Sequence, residues 1–183
     1  MKILIVMSLF SMLFGEKINH DYLDNQIDIS LSYFKSEYDA YQDELKKNYF
    51  NGESKEEIAN KIEKKLKGVL DGKGIYITEQ CLNVGLDPYL FTAVMLQETG
   101  CYWNCSYLTR VCNNVAGNKG NPGCNGGSYR KSNTLNEGIN FAINKLNSYY
   151  KKGFTTAKEI NPYYAEDKTW YIKVNNYINK LKS

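Results

Sequence analysis

The chain has 183 residues, 23 Lys and Arg against 20 Asp and Glu, and one His, for a formal net charge of +3. That length suits one well-buried domain, and a near-balanced charge gives no case for nucleic acid, which calls for a clustered basic face. With a single His and no CxxC pair, no strong zinc site is present and neither metal nor cofactor is expected.

Met1 to Phe14 has the form of a signal peptide: Lys2 opens it, Ile3 to Phe14 is an apolar run with only two serines, and charges resume at Glu16. Loss of residues 1–15 would remove Lys2 and leave a net charge of +2 on a secreted, wall-associated protein. The apolar run is short against the ~20 residues of a membrane span. Leu13 makes the cleavage site before Glu16 a poor one, so an uncleaved membrane anchor is the alternative. Residues 16–52 read as a helical lead-in. Leu31, Phe34, Tyr38, Tyr41 and Leu45 recur at three- and four-residue spacing and predict one amphipathic helix, ended by Asn51-Gly52. This stretch carries no recognisable chemistry and reads as a spacer, a strap, or an anchoring element of a larger export assembly.

A domain is expected over 53–183. Ser54-Lys55-Glu56-Glu57 is a capping-box start, and Ile58, Ile62, Leu66 and Val69-Leu70 continue one face to about residue 70. Asp71 to Gly74 is a turn, a short helix runs from about Ile75 to Val84, and Gly85 stops it. Then comes the segment on which the domain turns. Asp87 is a good N-cap, Pro88 suits the first helical position and Gly100 is a natural stop. The helix between them is apolar nearly all round, which implies burial. Glu98 stands near its end on the face of Phe91, Val94 and Met95, so low polarity and the negative helix terminus should raise its pKa. A carboxylic acid protonated near neutral pH is what a general acid needs.

Residues 100–133 change character, with many Gly, Asn and Ser and four cysteines: Cys101, Cys105, Cys112 and Cys124. Export makes disulfides plausible, in any of three pairings. Cys81 is left over, as a buried helical thiol. Asn113-Asn114-Val115-Ala116-Gly117 offers amides and a close-approach Gly suited to hydroxyl-rich ligands, Tyr129 is an aromatic candidate in the same loop, and a short hairpin fits around Gly126-Gly127. Helical pattern returns from Leu135 to Tyr150 and ends at Gly153. Thr155 to Glu159 opens a brief helical turn that Pro162 interrupts, and the last helix spans Trp170 to Leu181. The sum is a mostly α fold with a central buried helix and a cysteine-rich loop.

A buried helix ending in Gln97-Glu98-Thr99-Gly100 and followed by Asn113-Asn114-Val115-Ala116-Gly117 resembles the lysozyme-like cell-wall glycosidases. The match is nearest to the bacterial glucosaminidase family, neighbours of the soluble lytic transglycosylases. Leu70-Asp71-Gly72-Lys73-Gly74 before it, and Gly153-Phe154-Thr155-Thr156 through Asn161-Pro162-Tyr163-Tyr164-Ala165 to Trp170 and Val174 after it, stand in the same order. The resemblance implies a lysozyme-like helical domain that cuts the peptidoglycan glycan between amino sugars, as an N-acetylglucosaminidase. It implies Glu98 as the acid, Asn113, Asn114 and Gly117 along the cleft, and Tyr163 and Tyr164 closing it, with Tyr164 facing the reacting sugar. Glycan strands are then the partner, and a monomer the expected state. One departure stands out: no Asp or Glu lies between Cys101 and Leu135, and Glu137 reads as a solvated first-turn acid. The two-carboxylate scheme therefore lacks its second member, which leaves lytic transglycosylation and an inactive glycan-binding module as alternatives.

Overall fold

A computed structural model describes residues 20–183, so the signal-peptide and anchor readings of residues 1–15 lie outside the described residues. The chain divides into two compact units after Glu44. Helix α1 (His20–Asn48) supplies the described part of the first, as far as Glu44, and its last four residues belong to the second; its Leu31, Phe34, Tyr38 and Tyr41 are exposed. No helix among the described residues is long and apolar enough to cross a membrane.

After the end of α1, the second unit continues with a hairpin of β1 (Tyr49–Phe50) and β2 (Glu53–Ser54). Asn51 and Gly52 both take positive φ, 50° and 85°, as a two-residue turn matched to strand twist requires. Ser54 then caps α2 (Lys55–Glu63) through a complete capping box with Glu57. The helix ends at Glu63, well before residue 70: the Lys65 and Leu66 N–H groups donate only three residues back, to Ile62 and Glu63, Lys67 is extended, and a 3-10 turn follows at Gly68–Leu70 with Gly68 at φ 64°. Leu66 and Leu70 still reach the core from this broken segment, whereas Val69 turns outward.

Helix α3 (Gly74–Asn83) starts where Glu63 holds it, its carboxylate accepting from the N–H groups of Gly72 (2.7 Å) and Gly74 (2.6 Å). A Cβ on Gly74 would stand 2.7 Å from the Ala59 carbonyl, so the glycine lets α2 and α3 approach. Cys81 is a free, fully buried thiol in α3, and burial pushes its pKa well up.

Helix α4 (Pro88–Thr99) has the expected caps: Asp87 accepts from Tyr89 N–H (2.8 Å) and Leu90 N–H (3.2 Å), and Gly100 closes the end at φ 66°. Every residue from Pro88 to Leu96 is buried. Each Leu, Phe or Met so buried is worth ~1.5–3 kcal/mol, which makes α4 the axis of the core. Around it stand α3, α6 (Leu135–Tyr150) and α8 (Trp170–Lys182), which supply Ile77, Ile143, Leu146 and Val174 to one cluster.

The region after α4 is more ordered than composition suggests. Disulfides join Cys101 to Cys105 and Cys112 to Cys124. Between them lies α5 (Tyr107–Cys112), capped by Ser106 accepting from Thr109 N–H, where the sequence reading expected an irregular connection. The hairpin near Gly126-Gly127 exists as two antiparallel bridges, Lys119 with Tyr129 and Gly123 with Arg130. Pro162 does not interrupt the next helix: α7 runs Ala157–Tyr164 from a Thr156–Glu159 capping box. The fold is mostly helical, as expected.

Candidate active site

Four segments meet at Glu98. The last turn of α4 carries it, half-buried, with Phe91, Val94 and Met95 of the same face buried beneath. Trp170, at the first position of α8, donates its indole N–H to Glu98 Oε1 at 2.9 Å. Gly117 passes on the other side, where a Cβ would lie 3.6 Å from Oε2. That glycine has φ 61°, so both its backbone and its missing side chain suit the approach. Tyr164, at the end of α7, packs against Trp170 with ring centroids 4.9 Å apart and donates to the Ala116 carbonyl at 3.3 Å. Tyr149 meets the Tyr164 ring edge-on at 6.3 Å.

The electrostatics follow from this packing. Burial raises the Glu98 pKa above the ordinary carboxylate value, and the Trp170 N–H, which favours the anion, opposes it. Among the described residues no charged group contributes. Burial, then the Glu98 carboxylate and Tyr149, push the Tyr164 phenol far up, so it stays a protonated donor. Oε2 accepts no hydrogen bond among the described residues, whereas Oε1 is held. An acid with one oxygen fixed and the other unpartnered can deliver a proton to a ligand at Oε2, and the indole N–H can stabilise the carboxylate that remains.

Trp170 is placed by a further layer. Asn161, buried in α7, donates to the Asp167 carbonyl at 2.9 Å and accepts from Tyr171 N–H at 3.2 Å. Asp167 in turn accepts from Thr169 N–H at 2.8 Å and pairs with Lys173 at 2.7 Å. The start of α8 is thereby fixed relative to the end of α7, which holds the Trp170 and Tyr164 rings against each other.

The other sequence candidates stand differently. Asn114 is buried, with its amide N–H groups on the carbonyls of Asn118 (2.8 Å) and Arg130 (2.9 Å) and its oxygen accepting from Asn118 N–H (2.9 Å). It knits the loop and has no capacity left for a ligand. Asn113 is the left-handed C-cap of α5 and donates to the Ser132 carbonyl at 3.0 Å. A Cβ on Gly138 of α6 would collide with the Asn113 carbonyl, so helix and loop are in direct contact. Tyr129 is exposed on the short hairpin, and Tyr163 is exposed and stacked on Phe154 at 4.9 Å. Glu137 accepts from Asn133 N–H at 2.9 Å in the first turn of α6, a capping role. Gly117 and Tyr164 thus come together with Glu98. Trp170 is the partner that sequence reasoning did not assign, although a buried indole N–H always needs an acceptor.

No protein-family model matches the chain, and no curated protein matches it.

Proposed function

We propose that this protein is a glycosidase of the peptidoglycan glycan strand, with Glu98 as its general acid. One observation carries the reading: a half-buried carboxylate of raised pKa, fixed through Oε1 by Trp170 and unpartnered at Oε2. Glu98 protonates the glycosidic oxygen as the bond to the anomeric carbon breaks, and the Trp170 N–H stabilises the resulting anion. Tyr164 and Gly117 border the acid, one an aromatic face for a sugar ring and the other an open approach for its substituents. N-acetylglucosaminidase action is the form the motif order supports, in a lysozyme-like domain exported to the wall. The two disulfides agree with an oxidising compartment.

A second form of the reaction has its own support. With no charged side chain among the described residues acting on Glu98, the same carboxylate would act as acid and then as base, taking the proton of an attacking group. An internal sugar hydroxyl in that role yields an anhydro-sugar end with no water consumed; attack by water yields a reducing end. Mass spectrometry of products from purified peptidoglycan separates the two. We expect glycan fragments from the wild type, and from Glu98→Gln a rate lower by about 10²–10⁴-fold. Undiminished cleavage by that variant would overturn the assignment. Glycan binding with no new chain ends in the wild type would instead mark an inactive binding module.

A further inference from the structure

On α4, Leu96 lies two residues from Glu98 and so points to about the opposite side of the helix. There it floors a separate cavity of about 250 Å³, together with Leu181 of α8. The walls are Lys64, Lys65, Lys67, Lys180, Tyr102 and Tyr177, with no acidic residue among the lining side chains. None of the four lysines makes an ion pair among the described residues, whereas Lys55, Lys61 and Lys173 do. A chain of only +3 overall therefore gathers four uncompensated ammonium groups about one small concavity.

The concavity is built rather than incidental. Lys67 N–H donates to the Cys101 carbonyl at 2.8 Å, so the lysine segment is tied to the loop closed by the Cys101–Cys105 disulfide. Tyr102 sits in that loop, with its ring 5.5 Å from Tyr177 of α8. Gly68, at φ 64°, lets the chain turn beside Cys105, where a Cβ would stand 3.0 Å from the sulfur. Burial and the hydrogen bond with Tyr102 push the Tyr177 phenol up to about 12, so it stays protonated. Lys180 lies over the Tyr177 ring at 5.5 Å.

We propose that this pocket binds the phosphodiester groups of an anionic polyol-phosphate polymer. Clustered ammonium donors without a carboxylate partner select an anion, and tetrahedral phosphate oxygens accept from ammonium and phenol groups alike. About 250 Å³ takes one diester with its carbon linker, and the remaining lysines, exposed at the rim, meet the neighbouring phosphates of the chain. The leucine floor suits the short carbon linkers between them. The volume falls below the ~300–1,000 Å³ typical of pockets for drug-sized ligands, which disfavours a nucleobase with its sugar. The Tyr102 and Tyr177 rings are tilted against each other and Lys180 covers the Tyr177 face, so at most the Tyr102 face is open to stacking, too little for successive bases. The inference does not depend on the reaction at Glu98, since it is read by binding alone.

The test is isothermal titration of a poly(glycerol phosphate) chain into the full protein at about 0.1 M ionic strength. The pocket variant Lys64→Gln/Lys67→Gln/Lys180→Gln is compared with Lys145→Gln/Lys152→Gln/Lys158→Gln, which removes equal charge from exposed positions elsewhere. Circular dichroism checks that both fold. We expect the pocket variant to lose affinity about tenfold or more and the control to stay within about twofold. Equal losses in both, or an unchanged pocket variant, overturn the proposal. Inorganic phosphate binding as tightly as the polymer, or phosphatidylglycerol vesicles outcompeting it, overturns the choice of a polyol-phosphate chain.

Discussion

At the scale of single residues, the site is a balance around one carboxylate, and two predictions read it. Burial raises the Glu98 pKa in the folded protein above its unfolded value. The charged form is thus disfavoured by folding: the penalty is absent below the ordinary Glu value of about 4.3, grows as pH rises from there to the folded pKa, and is complete above it. Glu98→Gln removes the penalty and keeps an acceptor for the indole. Its thermal midpoint should therefore exceed that of the wild type near pH 7, with the gap closing as pH falls to about 4; a gap that persists at acid pH would rule out the titration as its origin. Trp170→Phe acts in the opposite sense on the same group. Losing the N–H that favours the anion raises the Glu98 pKa further, so the alkaline limb of the pH–kcat/KM profile should move to higher pH. A merely structural Trp170 would lower activity without moving that limb. The half-buried setting of Glu98 and the rise of its pKa were legible in the sequence, because the helix that carries it is apolar nearly all round. Trp170 was not, since its need for an acceptor is evident only once burial is known.

At the scale of elements, helices were legible wherever caps and apolar spacing agree. Asp87, Pro88 and Gly100 delimit α4 in the sequence as they do in space. The broken end of α2 shows the limit: the spacing of Ile62, Leu66 and Leu70 is helical, and burial keeps all three, but the backbone leaves the helix at Lys64 and turns again at Gly68 beneath an unchanged pattern. Helix α5 was hidden for a different reason. Its six residues sit inside a Gly- and Asn-rich stretch, and disulfides at both of its flanks hold it more than its own periodicity does. The Asn113-Asn114 pair looked like ligand chemistry because exposed amides suit hydroxyls, yet a long loop with little apolar content must satisfy its own backbone, and Asn114 does so. Asn114→Ala leaves the Asn118 N–H and the Arg130 carbonyl without partners in a half-buried place, while the Asn118 carbonyl keeps the Arg130 N–H at 2.8 Å. The expected loss is about 3 kcal/mol, or a fall of about 10 °C in midpoint for a protein of this size. Differential scanning calorimetry measures it; an unchanged midpoint with weakened glycan binding would return Asn114 to the substrate.

At the scale of the whole molecule, the hydrophobic core and the candidate site both lie after Glu44. The hydrophobic core begins at Ile58 and ends at Leu181, and Glu98, Gly117, Tyr164 and Trp170 fall within those limits. The same holds for the polar links that close the unit. Tyr89, fully buried in α4, donates to Glu53 of the hairpin at 3.0 Å, and Lys61 pairs with the same carboxylate at 2.6 Å. Lys182, in the last turn of α8, lies over the Tyr89 ring at 5.2 Å, which brings the two ends of the unit together. The described part of the first unit contributes no residue to the core cluster. A protein beginning at Leu45 should therefore keep the full burial that stabilises the fold and unfold in one cooperative transition. We expect its thermal midpoint within about 3 °C of the full chain, the shift that ~1 kcal/mol would produce, and its rate of peptidoglycan cleavage unchanged. A midpoint lower by about 10 °C or more would mean that α1 stabilises the domain. Cleavage lost from a stably folded Leu45–Ser183 protein would mean instead that the Tyr-rich helix takes part in engaging the glycan.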